Sequence, residues 1–141
     1  MTAVKAQTPH HACSLAWCPE QPELLAVANY EMRDEKRYGS VLLYRIHKEE
    51  ICPLIASADL GGVYDLTWLN DSLCVCVTAK GQVVALADEL VIKTASEATN
   101  EIYTCLHSCS HDTVVSTDHG KIRRFQFDDA SIRQSSSWLA H

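Results

Sequence analysis

Three stretches of the 141-residue chain share one layout. The first runs Ser14-Leu15-Ala16-Trp17, then Leu24 to Ala28, then Gly39 to Tyr44. The second runs Asp65-Leu66-Thr67-Trp68, then Leu73 to Val77, then Gly81 to Leu86. The third runs Thr104-Cys105-Leu106-His107, then Thr113 to Thr117, then Gly120 to Phe125. Trp68 and Gly81 stand 13 positions apart, as do His107 and Gly120, and Trp68 to His107 is 39. That period is close to the roughly 40–45 residues of a propeller blade. A unit of short strands cannot bury its faces alone, so the spacing predicts units that stack.

The runs between turns are short and rich in Val, Leu, Ile and Tyr, and turn residues punctuate them at Pro19 to Pro22, Asn70-Asp71, Lys80-Gly81 and Asp118-His119-Gly120. This is a strand signature, and no stretch carries a helical period. Glu97 to Glu101 reads as loop. Each unit reads as strand a, strand b, a glycine turn and strand c, with a fourth strand at Ile51 to Ser57, Leu90 to Thr94 and Ile132 to Leu139. Four antiparallel strands make a β-propeller blade. The expected fold is therefore all-β, about three blades of an incomplete ring, over 14–57, 63–94 and 102–139. The b–c turn glycines at 39, 81 and 120 are expected at positive φ. In the first unit Trp17 to Gly39 is 22 positions; the excess, Asn29 to Tyr38, is charged and reads as a long solvated b–c loop.

WD repeats are named for a Trp-Asp pair ending strand c. Tyr44, Leu86 and Phe125 stand in the Trp position, each five residues after its glycine, and no Trp-Asp pair occurs. The repeats are degenerate, and the propeller reading rests on three of them in phase. Ser116 to Ile122 has the form of a WD-repeat b–c turn. There Asp118 is expected to hold the turn through backbone and histidine hydrogen bonds rather than to perform chemistry.

Composition bounds the function. The chain is 47% hydrophobic and 21% charged, with formal charge −6. Nucleic-acid binding needs a clustered basic surface; the one local cluster, Lys121, Arg123 and Arg124, is split between two strand faces and reads as solvated edge charge. No apolar run reaches the ~20 residues of a membrane span, and Met1 to His11 has no signal-peptide core. A cytoplasmic, and also nuclear, location is expected. The seven cysteines include no C-x-x-C pair and read as reduced, mostly core residues. Cys105, His107, Cys109 and His111 are metal-ligand types, but alternate strand residues lie about 6.6–6.8 Å apart along a line and cannot converge on one zinc. His10-His11 has no partners at useful spacing. No G-x-S-x-G elbow occurs, and nothing pairs His107, His111 or His119 with a nucleophile. No metal and no cofactor are expected.

Leu15-Ala16-Trp17-Cys18-Pro19, Glu23 to Ala26, Asn29-Tyr30-Glu31, Gly39 to Ile46, Ile51 to Leu54 and Gly62 to Trp68 together resemble the opening blades of the diphthine methyltransferase family of WD-repeat proteins. Its members are better described as diphthine methyl ester esterases. The terminal Ser136 to His141 fits where that family continues. The resemblance is most specific over 15–68 and looser after Ser72. It implies hydrolysis of the methyl ester of a modified histidine on translation elongation factor two, a step of diphthamide biosynthesis. Elongation factor two is the implied partner, with other diphthamide-pathway proteins as further candidates. No motif here assigns catalytic residues. Ester hydrolysis requires an activated water or nucleophile and donors to the oxyanion. A trimethylammonium group would favour aromatic faces or carboxylates.

In a propeller the d–a connections and b–c turns share one face. Glu31, Arg33, Asp34, Arg37, Asp65, Asp118 and His119 are expected there, bordering a docking site for the protein partner. The competing reading is a non-catalytic WD-repeat scaffold, because fold alone does not specify chemistry. Three blades do not close a ring. The 141 residues are therefore expected to be an N-terminal fragment, or the product of a truncated gene model, and inactive alone.

Overall fold

The computed structural model describes residues 5–109, 112–128 and 131–139. His111, one of the four metal-ligand types weighed and set aside above, lies outside them. The described residues form three antiparallel sheets. The first holds β1 (His11–Cys18), β2 (Gln21–Arg33), β4 (Val41–His47) and β5 (Glu50–Ala56) in that order, with β3 (Lys36–Tyr38) paired to the extension of β2. The second is β6 (Val63–Asn70), β7 (Leu73–Thr78), β8 (Val83–Leu86) and β9 (Ile92–Ala95). The third is β10 (Tyr103–Cys109), β11 (Asp112–Thr117), β12 (Lys121–Phe127) and β13 (Ile132–Leu139). Each is a meander whose spatial order equals its chain order, as a blade requires. Residues 97–101 form loop, as expected.

Two cores glue the three sheets. Between the first and second lie Ala26, Ala28, Val41, Val63, Leu66, Cys74, Cys76, Val84 and Leu86, all buried. Between the second and third lie Val75, Val77, Val83, Ala85, Tyr103, Val115, Phe125 and Phe127. The alternation is visible in β7: Cys74 and Cys76 face one neighbour, Val75 and Val77 the other. A strand buried on both faces reads as one continuous apolar run, which is why Leu73 to Val77 lacks polar punctuation. Tyr44, Leu86 and Phe125 are all buried, so the Trp position keeps its packing role without tryptophan.

The inner strands β1, β6 and β10 lie in contact, and Asp65 ties them. Its Oδ1 accepts from Ser14 Oγ in β1 at 2.7 Å, and its Oδ2 accepts from the Leu106 N–H in β10 at 2.9 Å. One carboxylate thus joins all three sheets.

Three expectations need correction, and the turn glycines do not. The segment 29–38 is not a loop. β2 runs on to Arg33 and pairs with β3 through Glu31↔Tyr38, Met32↔Arg37 and Arg33↔Lys36. The two-residue turn is Asp34-Glu35, both at positive φ (52° and 63°), as a type I′ hairpin demands. Leu90 is not in strand β9 but in a 3-10 turn, Asp88–Leu90. Gly81 and Gly120 have φ of 65° and 74°. Gly39 is also at positive φ (159°), and a Cβ there would strike the Asn29 carbonyl. Finally, of the seven free cysteines only Cys18, Cys74 and Cys76 are buried, whereas Cys13, Cys52, Cys105 and Cys109 are exposed. The exposed four sit on strands whose burial alternates, β1, β5 and β10.

Candidate protein-docking edge

The b–c turns and d–a connections meet along one edge of the three blades. Leu60 N–H donates to Gly39 O at 2.7 Å, Ala79 N–H to Gly62 O at 3.0 Å, Thr99 N–H to Lys80 O at 3.0 Å and Asp118 N–H to Ile102 O at 3.0 Å. Each blade repeats the same tie because each places its turn against a connecting segment whose backbone groups would otherwise go unpaired.

The β2–β3 hairpin projects from this edge. Its base is aromatic: the Tyr30 and Tyr64 rings pack at a tilt of 31° with centroids 4.8 Å apart. Burial, followed by the hydrogen bond and charge of Tyr30, pushes the Tyr64 phenol up to about 12, against the opposing Arg37 charge. Glu31 is held by Arg33 and His10. Arg33 Nη2 donates to its Oε2 at 2.7 Å and His10 Nδ1 lies 2.9 Å from the same oxygen. The Arg33 bond, the largest effect, holds the Glu31 carboxyl below its usual value. The Arg33 guanidinium also lies over the Tyr38 ring at 5.3 Å, and the His10 ring stacks on Tyr38 at 6.3 Å. The hairpin therefore presents a preformed surface rather than a mobile chain. Met32 is 51% exposed at its tip, and Asp34 and Arg37 are also exposed.

A second cluster stands at the third blade. Asp118 Oδ1 accepts from the Ile102 N–H at 2.8 Å, so Asp118 holds the turn as expected. His119 Nδ1 is 3.3 Å from Glu101 Oε2 and 4.0 Å from Asp118 Oδ1. Sequence reasoning missed Glu101, which is only 3% exposed. Its carboxylate accepts from Thr117 Oγ1 at 2.9 Å and pairs with Arg123 and, at 3.5 Å, with Lys121. Burial pushes this carboxyl up, but the Thr117 and Arg123 hydrogen bonds and the charges of Arg123 and Lys121 outweigh it and hold the group at about 2. The only advance signal was an acid in a connecting loop upstream of three basic residues. Those basic residues are not the solvated edge charges expected of them: Arg123 turns inward to Glu101, and Arg124 forks Asp112 through Nε and Nη2 at 3.0 and 2.8 Å.

The structure thus brings Glu31, Arg33, Asp34 and Arg37 together on the hairpin, and Asp118 and His119 together at the third turn. Asp65 is not free at this edge. It lies in inner strand β6, and its carboxylate is consumed in joining the blades. Cys105, His107 and Cys109 alternate along β10, all exposed, and form no metal cluster among the described residues. Glu101, Asp118 and His119 do offer ligand atoms within 4.8 Å of one another. The two carboxylates are already engaged, Asp118 by the Ile102 amide and Glu101 by Thr117, Lys121 and Arg123.

No family model matches the chain, and no curated protein matches its sequence. Solved structures do match. Sqt1 from Chaetomium thermophilum superposes with a TM-score of 0.78 at 15% identity, over 94% of this chain and 37% of that one. The same protein bound to the N-terminus of the ribosomal protein L10 superposes at 0.75 and 15% identity, over 94% and 39%. The C-terminal WD40 domain of Sif2 gives 0.60 at 9% identity, over 92% and 48%. These likenesses establish the fold: the chain is an arc of WD40-type β-propeller blades. It spans less than half the length of each of these matched chains.

Proposed function

We propose that this arc is part of a protein-binding β-propeller that engages its partner along the edge carrying the b–c turns and the β2–β3 hairpin. The observation that carries the reading is the hairpin itself. Its Glu31 and Arg33 side chains are held by each other and by His10 and Tyr38 before any partner arrives, and preorganisation lowers the cost of binding. Glu31, Arg33, Asp34 and Arg37 are its contact residues, with Asp118 and His119 flanking them; Asp65 contributes from beneath, by holding the blades. A neighbour of the same fold, Sqt1, has been crystallised with the N-terminus of a ribosomal protein, which supports protein binding as the use of such a surface.

A second, finer reading is hydrolysis of the methyl ester of diphthine methyl ester on elongation factor two. It is supported by the resemblance over residues 15–68. It is also supported by the Tyr30–Tyr64 pair, whose aromatic rings are of the type a trimethylammonium group favours. The complete protein, with the blades that family possesses, would carry the chemistry.

Elongation factor two binding by the full-length protein tests the docking edge. Arg33→Glu with Arg37→Glu is expected to weaken the complex roughly tenfold, as reversal of rim charges does. Unchanged affinity removes the hairpin from the interface. Methanol release from the methylated elongation factor separates the two readings. Turnover establishes the esterase, whereas binding without release leaves the scaffold.

A further inference from the structure

The face opposite the docking edge carries a cavity that the proposed function does not use. It opens between the first and second blades, where the a–b and c–d turns lie, and has a volume of about 370 Å³. Its floor is apolar, built from Leu24, Leu43, Ile55, Trp68, Leu86 and Leu90. One wall is rigid. The Trp68 indole donates its Nε1–H to the Ala16 carbonyl at 3.1 Å, which fixes the ring. Leu54 stands at the mouth, 47% exposed. The far wall is the 3-10 turn, where Glu89 and Leu90 both hold positive φ (61° and 57°). A buried leucine in the left-handed region is an outlier of the sort that collects at binding sites.

The rim is acidic. Asp71, Asp88 and Glu89 line the cavity with Arg45 as the one cation. Glu20, outside the lining, lies next to Asp71: its backbone N–H donates to Asp71 Oδ1 at 3.0 Å. The Glu20 carboxyl is pushed up by its hydrogen bond to Asp71 and by the Asp71 charge, as happens when two acids share a site without a cation between them. Among the described residues none of these four acids, nor Arg45, joins an ion pair. Pockets that combine an apolar floor with a few convergent polar groups are where ligands bind. Here the charge left unbalanced at the rim is negative.

We infer that this cavity is a second recognition site, taking an apolar side chain of a partner polypeptide flanked by lysine or arginine. The apolar residue fills the space against Trp68 and Leu90, and the flanking cations reach Asp71, Asp88 and Glu89. The site is independent of the docking edge, being built from different elements on the other face.

The test uses the full-length protein and a fluorescein-labelled peptide with one leucine between two pairs of lysines, followed by fluorescence anisotropy. Saturable binding is expected that weakens as salt rises. Asp88→Asn with Glu89→Gln is expected to weaken it roughly fivefold at unchanged melting temperature. Arg33→Glu with Arg37→Glu leaves it unaltered, because the hairpin is on the opposite edge. Replacing the leucine of the peptide by serine, or its lysines by glutamates, abolishes binding. The inference is overturned by the absence of saturable binding up to about 1 mM protein. It is equally overturned if the serine or glutamate peptide binds as well, or if the double variant binds unchanged.

Discussion

At the scale of single residues, Glu101 is a charge held away from water. Among the described residues it is the one charged side chain that is buried. Its carboxyl sits at about 2, because Thr117, Arg123 and Lys121 more than offset the burial that pushes it up. The unfolded chain therefore binds the proton more readily than the folded one. The stabilisation is complete above the ordinary glutamate value and is lost as pH falls from there toward about 2. Glu101→Gln is expected to destabilise the protein at neutral pH by about 1–3 kcal/mol. It should also flatten the acid limb of a plot of urea midpoint against pH. An unaltered acid limb would mean that the carboxylate is not the group responsible. The thiols give a second residue-scale expectation. Burial pushes Cys74 up to about 12 and Cys76 well above its usual value, and only the thiolate reacts. Maleimide labelling of the native protein should therefore modify Cys13, Cys52, Cys105 and Cys109 and spare Cys18, Cys74 and Cys76 until denaturant is added.

At the scale of elements, the strands were legible and the hairpin was not. A glycine 13 positions after Trp68, and again after His107, marks a turn by a backbone requirement that few residues meet. Apolar runs such as Leu73 to Val77 mark a strand covered on both faces. The β2–β3 hairpin escaped because its turn is Asp34-Glu35, without the Asn-Gly or Asp-Gly that usually announces a I′ turn. Its strands also carry charge in place of apolar alternation. The candidate site was correspondingly half legible. The hairpin residues and the Asp118-His119 turn could be assigned to one edge from blade geometry. The Glu101 network could not, because its partners Thr117, Lys121 and Arg123 lie 16 to 22 positions away across a turn. If Asp34 and Glu35 are held in the left-handed region, Asp34→Asn with Glu35→Gly should raise stability by about 0.5–1 kcal/mol. A shift of the urea midpoint upward, with unchanged slope, would show it; a downward shift would mean that the turn is not of this type.

At the scale of the whole molecule, the arrangement is three wedges around a common centre, with the middle wedge buried on both sides. The outer face of the first carries a further apolar cluster, Leu25, Val27, Leu42 and Tyr44. The outer face of the third exposes Val114 and Trp138. Both are surfaces that adjoining blades cover in a closed propeller. Packing between neighbours holds each pair of wedges, and among the described residues Asp65 is the one whose side-chain hydrogen bonds reach from the second to both others. The Leu106 amide it binds lies on the inner strand of the third blade, which pairs with β11. That amide is shielded by the Asp65 carboxylate, to which it donates. Residue-resolved hydrogen exchange on the wild-type protein and on Asp65→Ala is the most direct test. Slow exchange at Leu106 in the wild type, lost selectively in the variant while the β11 and β12 amides keep their protection, is the predicted result. Equal protection of Leu106 in both proteins would contradict the convergence of the three blades on Asp65.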